Sequence, residues 1–243
     1  MKYTMLIDQT KCIGCAACTL ECKREYEEAS FGVLRTRIRE YEKGEYPQNV
    51  LRYNKNFCMH CLEDAACIAV CPVDVIGYDI HEDGGMVLID YDGCIGCAAC
   101  VGACPFGAPV MDDDRVKAEK CSFCHQEVLR GRPTICSDAC PTGAILFGER
   151  EEMISKGEER VNALKDKGKE DANLYGAEGT GILIVMDYDY AEYDLPDEDD
   201  LASNINLPKF ASASGGLTVM AALGGLGLSY FRKFRQDRQE EIE

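Results

Sequence analysis

A chain of 243 residues has room for one domain of moderate size or two small ones, and only 8% of its residues are aromatic, with no tryptophan. The formal charge of −17 argues against nucleic-acid binding and carries no information about fold; it fits simple solubility, or docking to basic partners. Sixteen cysteines as eight disulfides would suit a small secreted chain, and residues 1–11 show no secretory signal.

The cysteines fall into four sets of four. The first, Cys12, Cys15, Cys18 and Cys22, reads C-x2-C-x2-C-x3-C, the run with which bacterial ferredoxins hold 4Fe-4S clusters. Three thiolates two residues apart wrap one cube, with backbone N–H groups turned toward the sulfurs. The fourth lies where the chain has turned away, and in two-cluster ferredoxins it ligates the neighbouring cluster. Small residues fill the loop at Gly14, Ala16 and Ala17, where a large side chain would crowd the cluster.

An insertion, Lys23 to Phe57, follows. In it Val33, Arg35, Arg37 and Arg39 alternate with Leu34, Thr36, Ile38 and Glu40 as in a strand, and Gly44 with Pro47 marks a turn. The second set, Cys58, Cys61, Cys67 and Cys71, keeps the leading and closing gaps and lengthens the middle one. Beyond it, Val75-Ile76-Gly77-Tyr78 and Met86-Val87-Leu88-Ile89 flank Asp83-Gly84-Gly85, a hairpin signal.

The third set, Cys94, Cys97, Cys100 and Cys104, repeats the first, and the heptapeptide CIGCAAC is identical at 12–18 and 94–100. Gly96, Ala98 and Ala99 again keep the loop small. The fourth set is Cys121, Cys124, Cys136 and Cys140, with a long middle gap. Proline follows the last cysteine of three sets, at Pro72, Pro105 and Pro141, fixing φ as the chain leaves the cluster; Cys22 departs from this, being followed by Lys23. The runs after Cys71 and Cys140 also resemble each other, Pro72-Val73-Asp74-Val75-Ile76 and Pro141-Thr142-Gly143-Ala144-Ile145. A doubled two-cluster ferredoxin fits these repeats, each module made of two short strand pairs and two helical turns. Zinc is the competing metal, since C-x2-C pairs make four-thiolate sites, but it has no need of a third cysteine two residues on. His60 and His125 lie inside complete cysteine sets and read as neighbours or hydrogen-bond donors before ligands.

From Glu149 to about Lys167 the spacing of Met153, Ile154, Val161 and Leu164 predicts an exposed amphipathic helix. Residues 181–186 read as a strand, and the acidic stretch 187–200 as extended. Phe210 to Phe231 are 22 consecutive uncharged positions between Lys209 and Arg232. As a helix they would run about 33 Å, against a hydrocarbon thickness of roughly 30 Å. Their many small residues would let another helix approach closely; a buried core helix is the plainer alternative. Arg232, Lys233, Arg235 and Arg238 after the span imply a cytoplasmic C-terminus. The cysteine-rich part would then face the outside of the cytoplasmic membrane, exported already folded with a partner that carries the signal.

The four cysteine sets in this order, the long gap in the fourth, and the tail from Asn173-Leu174-Tyr175-Gly176 through the span resemble the iron-sulfur (beta) subunit of membrane-bound formate dehydrogenase. The subunits of membrane uptake hydrogenase and of other molybdopterin or tungstopterin oxidoreductases are similar. The resemblance implies an α+β fold of two pseudo-repeated two-cluster ferredoxin modules with an insertion, plus one C-terminal transmembrane helix. Its divisions would be 1–148 for the double ferredoxin-like domain, 149–209 for a helix and an extended docking or linker segment, 210–231 for the membrane helix and 232–243 for a cytoplasmic charged tail.

The resemblance also implies how the sets combine. Cys12, Cys15, Cys18 and Cys140 would hold one 4Fe-4S cluster, and Cys121, Cys124, Cys136 and Cys22 its neighbour. In the second module Cys58, Cys61, Cys67 and Cys104 would hold one, and Cys94, Cys97, Cys100 and Cys71 the other. The first module would face a pterin-containing catalytic subunit and the second the membrane, so that electrons pass along four clusters to or from a cytochrome b or quinone-reactive partner. The equivalent subunit of a hydrogenase or sulfur-compound reductase, and an autonomous membrane-tethered polyferredoxin, are the alternatives. No nucleophile with a base and no open-site metal motif suggests catalysis by this chain, and the span has no histidine to hold haem.

Overall fold

The computed structural model describes residues 2–26, 29–79 and 85–198. Asp83 and Gly84 of the expected hairpin turn, the expected span at 210–231 and the tail at 232–243 lie outside them. Among the described residues no helix is long and apolar enough to cross a membrane.

Among the described residues ten strands and six α-helices follow in chain order: β1 (Tyr3–Asp8), α1 (Ala17–Glu25), β2 (Thr36–Lys43), β3 (Val50–Phe57), α2 (Ala66–Ala69), β4 (Ile76–Tyr78), β5 (Val87–Ile89), α3 (Ala99–Ala103), β6 (Val110–Asp112), β7 (Lys117–Glu119), α4 (His125–Leu129), α5 (Ile135–Asp138), β8 (Ile145–Glu149), α6 (Arg150–Lys165), β9 (Asn173–Tyr175) and β10 (Ile182–Met186). The strands form three two-stranded antiparallel pairs, β2-β3, β4-β5 and β6-β7, and a four-stranded sheet of order β8-β1-β10-β9. In that sheet β1 runs parallel to β10, with Met5 opposite Ile182 and Ile7 opposite Ile184, and antiparallel to β8.

The two-residue period of the strands sorts their side chains into two layers. Leu6, Leu183 and Val185 point to one face and meet Met153, Val161 and Leu164 of α6. Met5, Ile7, Ile182, Ile184 and Met186 point to the other and floor the cysteine-bearing loops, beside Cys18, Cys121, Phe123 and Cys136. All five residues of β10 are fully buried, as an unbroken apolar run covered on both faces requires. At about 1.5–3 kcal/mol for each large apolar side chain removed from water, this strand is a principal stabiliser of the fold.

The core takes in chain beyond residue 148. The helix over 149–167 is present, but its apolar stripe is buried against the sheet, and Gly157 lets α6 lie so close that a Cβ there would be 2.7 Å from Leu174. Residues 150–186 therefore complete the core, supplying one of the sheet's two inner strands, β10, and the edge strand β9. The insertion holds a hairpin: β2 covers residues 36–40 of the alternating run and continues to Lys43, and β3 returns from a turn with Gly44 at φ 84° and a cis Tyr46-Pro47 bond. β4 and β5 pair as expected, Ile76 opposite Ile89.

Two junctions tie the sheet to the cysteine loops. Asp8 ends β1, accepts from Thr10 N (3.0 Å) and from Arg160 Nε of α6 (2.7 Å), and so directs the chain into Cys12. Ahead of β10, Gly181 N donates to the carbonyls of Met59 and His60, and Cys61 bridges to Thr180, which fixes the second set against the sheet.

Candidate functional site

Each cysteine set begins with a tight loop whose backbone conformation is shared. The residue two positions after the first cysteine is left-handed in all four: Gly14 (φ 70°), His60 (φ 49°), Gly96 (φ 67°) and Phe123 (φ 58°). Two of the four use glycine, for which this conformation is free; the others accept about 1–2 kcal/mol of strain. The geometry turns an N–H back onto the first sulfur. Phe123 N donates to Cys121 Sγ at 3.3 Å, and Gly14 donates likewise to Cys12. Ala16 (φ 58°), Ala98 (φ 60°) and Cys124 (φ 51°) then start α1, α3 and α4 from a second left-handed position.

The loops bring the sixteen cysteines together as four quartets, each drawn from two sets. One cavity is lined by Cys12, Cys15, Cys18 and Cys140. A second is lined by Cys22, Cys121, Cys124 and Cys136, and a third by Cys71, Cys94, Cys97 and Cys100. Cys58, Cys61, Cys67 and Cys104 lie close enough for their charges to act on one another. The two inner quartets adjoin through Cys58 and Cys121, while each outer quartet holds one exposed cysteine, Cys15 or Cys97.

The donor set fits a cluster better than a single ion. Among the described residues no three His, Cys, Asp or Glu side chains converge as a mononuclear site demands, although four sulfurs surround each cavity. Burial pushes the Cys61 and Cys67 thiols up to about 12 and Cys124 to about 11, and raises Cys121 further. Such thiols stay protonated until metal displaces the proton, so loading couples ligation to proton release and to folding. Cys140 goes the other way. Burial opposes its ionisation, yet hydrogen bonds from the Thr142 hydroxyl and from the amides of Ile145, Thr142 and Ala144 hold its pKa below the usual thiol value.

Both histidines are occupied with other partners. His125 Nε2 lies 2.9 Å from Asp79 Oδ2. His60 is fully buried, accepts Val87 N–H on Nδ1 at 3.2 Å, and packs edge-on against Phe123. Burial, with Lys120 and Lys55 nearby, keeps its pKa well below the usual imidazole value, so the ring is neutral.

Those two lysines are features that residue pattern did not single out. Lys55 is 4% exposed and Lys120 1%. Burial works against the Lys55 ammonium, but Cys136, Cys121, Cys18 and Cys22 outweigh it and hold its pKa above the usual lysine value, and the Phe57 ring lies 3.4 Å beneath it. Lys120 donates to the carbonyls of Val87 and Cys121 and acts on Cys61, Cys67 and Cys104. Lys120 directly precedes Cys121, and Lys55 stands three residues before Cys58; closeness to a cysteine set was the available signal, though Lys11 before Cys12 is half-exposed.

Two family profiles, each described as a 4Fe-4S dicluster domain, match residues 4–72 and 50–150. The nitrate-inducible formate dehydrogenase iron-sulfur subunit of Escherichia coli is 32% identical, over 90% of this chain and 79% of that protein. The formate dehydrogenase iron-sulfur subunit of Haemophilus influenzae is 34% identical over 90% and 78%, and the B component of the anaerobic dimethyl sulfoxide reductase of Escherichia coli is 37% identical over 64% and 77%. Two dicluster domains carry four 4Fe-4S clusters, and sixteen cysteines match that number. The protein belongs to the family of iron-sulfur electron-transfer subunits that includes those of formate dehydrogenase.

Proposed function

We propose that each quartet ligates one cluster, Cys12, Cys15, Cys18 and Cys140 at one end and Cys71, Cys94, Cys97 and Cys100 at the other, with the Cys22 and Cys58 quartets between them. When bound, the clusters supply one-electron relay. The chain's own contribution is to hold the sulfurs, donate backbone N–H groups to them, and exclude water from the inner pair. The observation that supports this reading is the gathering of the cysteines into quartets, with Cys58 of one close to Cys121 of another and the surface reached at Cys15 and Cys97.

The protein is then a non-catalytic subunit. Electrons enter at one exposed end from a molybdopterin or tungstopterin catalytic subunit, formate dehydrogenase being favoured by the relatives, and leave at the other toward a membrane cytochrome b or quinone-reactive partner. The likeness to the B component of a sulfoxide reductase supports a second reading, the same relay serving a sulfur-compound reductase. Residues 210–231 anchor the chain in the cytoplasmic membrane, with residues 232–243 inside and the clusters outside.

Anaerobic purification of the intact complex tests the reading. The expected result is about sixteen irons per chain, four for each cluster, and a large pterin-containing subunit that co-purifies and is identified by mass spectrometry. A colourless zinc protein would overturn the relay, and a chain that purifies alone with all its iron would favour an autonomous carrier.

A further inference from the structure

Lys55 lines two cavities at once, the one holding Cys12, Cys15, Cys18 and Cys140 and the one holding Cys22, Cys121, Cys124 and Cys136. It stands on β3, with its stem buried and its ammonium over the Phe57 ring, so the charge cannot move out to solvent. The cavity of Cys71, Cys94, Cys97 and Cys100 is different: apart from the cysteines its walls are Val, Ile and Ala alone. Lys117, whose ammonium comes near that loop, is half-buried and is directed at the carbonyls of Tyr91 and Cys94. Two more buried cations lie near the sites: Arg35 is paired with Glu119 at 2.8 Å, and Lys120 donates to the carbonyls of Val87 and Cys121 and acts on Cys61, Cys67 and Cys104, all of the second module.

We infer that Lys55 is a charge-tuning residue shared by the two sites of the first module, and that its fixed ammonium raises the reduction potential of both. The inference rests on the ligation proposed above. Accepting one electron adds one negative charge to a site, and a cation held in a dry, low-dielectric setting favours that added charge more strongly than the oxidised state. Because the ammonium is common to both cavities, its effect on the two is joint, and an electron arriving at either is held within the first module more firmly than it would be in an uncharged wall. Lys55 touches no external reactant; it acts through the two sites it lies between.

The test is a spectroscopically monitored redox titration of the complete complex carrying Lys55→Met, Lys55→Gln or Lys55→Arg, with iron counted in each. Cys15→Ser and Cys97→Ser in separate preparations identify which signals belong to the two outer sites. With iron retained, Lys55→Met and Lys55→Gln are expected to shift the reduction equilibrium of both first-module sites toward the oxidised form by about tenfold or more, about 59 mV for a one-electron couple. Lys55→Arg should restore both, and the signal lost in Cys97→Ser should not move. Full iron with no shift, or an equal shift of all four signals, would overturn the inference and leave the relay standing. Loss of first-module iron in both neutral variants would also overturn it, making Lys55 a folding requirement. Far fewer than sixteen irons in the unaltered protein would instead defeat the ligation on which it rests.

Discussion

The loops at 12–18 and 94–100 have the same seven residues and the same backbone, with Gly14 and Gly96 at φ 70° and 67°, Ala16 and Ala98 at φ 58° and 60°, and Ile13 and Ile95 exposed at 61% and 55%. What surrounds them differs. The first loop faces Tyr53 and Lys55 of the inserted hairpin; the second faces Val75, Ile76, Ile89 and Ala118. A cluster-binding loop fixes where the sulfurs stand, and elements brought from elsewhere in the chain decide the charge and wetness around them. The insertion between the first two sets is therefore part of the site.

The largest expected effect separates the two glycines. A Cβ at Gly96 would run into the backbone carbonyl of Val116, which cannot yield, whereas one at Gly14 would meet the Tyr53 ring 2.6 Å away, which can swing. Gly96→Ala should therefore lose the cluster of that loop, about four of about sixteen irons by elemental analysis, while Gly14→Ala keeps its iron at roughly 1 kcal/mol of backbone strain.

Next comes the clamp between the two surroundings. Glu119 of β7 is fully buried between Arg35, from just before β2, and Arg115 at 2.7 Å, with the Arg35 guanidinium stacked 4.1 Å from the Tyr26 ring centre. Glu119→Gln leaves Arg35 with an uncompensated buried charge, and denaturant unfolding should show a loss of about 3–5 kcal/mol.

A smaller effect, read against pH, comes from Asp187, which follows β10 and receives Arg52 of the hairpin through Nε (3.0 Å) and Nη2 (2.6 Å), with the Tyr193 hydroxyl at 3.1 Å. Burial would raise its pKa, but Arg52, the Tyr193 hydroxyl and Lys169 together outweigh burial and hold it below the usual carboxylate value. The stability it contributes is present above the unfolded carboxylate pKa of about 3.9 and is lost as pH falls through the lower folded value. Asp187→Asn should cost about 1–3 kcal/mol at neutral pH and flatten the acid limb of the stability profile. Smallest of all, Ile13→Ser and Ile95→Ser should each change stability by less than about 0.5 kcal/mol. In stopped-flow measurements on the complex, the first is expected to slow reduction by the catalytic partner and the second transfer onward.

The repeating cysteines made the clusters and the doubled architecture legible, because thiolate spacing around a cube is a local constraint. The strand at 182–186, the helix before it and the β4-β5 pair were also readable from periodicity. The central sheet was not: β1 is six residues long, β8 and β9 are shorter still, and the β1-β10 pairing joins residues about 180 apart, which no local pattern encodes. Nor did the run Asn54-Lys55-Asn56 announce itself, since a polar stretch of strand reads as solvent-facing until its neighbours are known.

The quartets also nest. All the sulfurs of the Cys58 and Cys71 quartets lie between residues 58 and 104, whereas the other two quartets each join a cysteine before residue 23 to one beyond 120. A ribosome delivers the chain from its start, so the sulfurs of the Cys58 and Cys71 quartets are all available while the last third is still being translated. Cys12 through Cys22 meanwhile wait as unprotected thiols until Cys140 emerges, and the floor beneath them is finished only when β10 follows. Oxygen or oxidant met during synthesis will consequently do its harm at the amino-terminal sulfurs first.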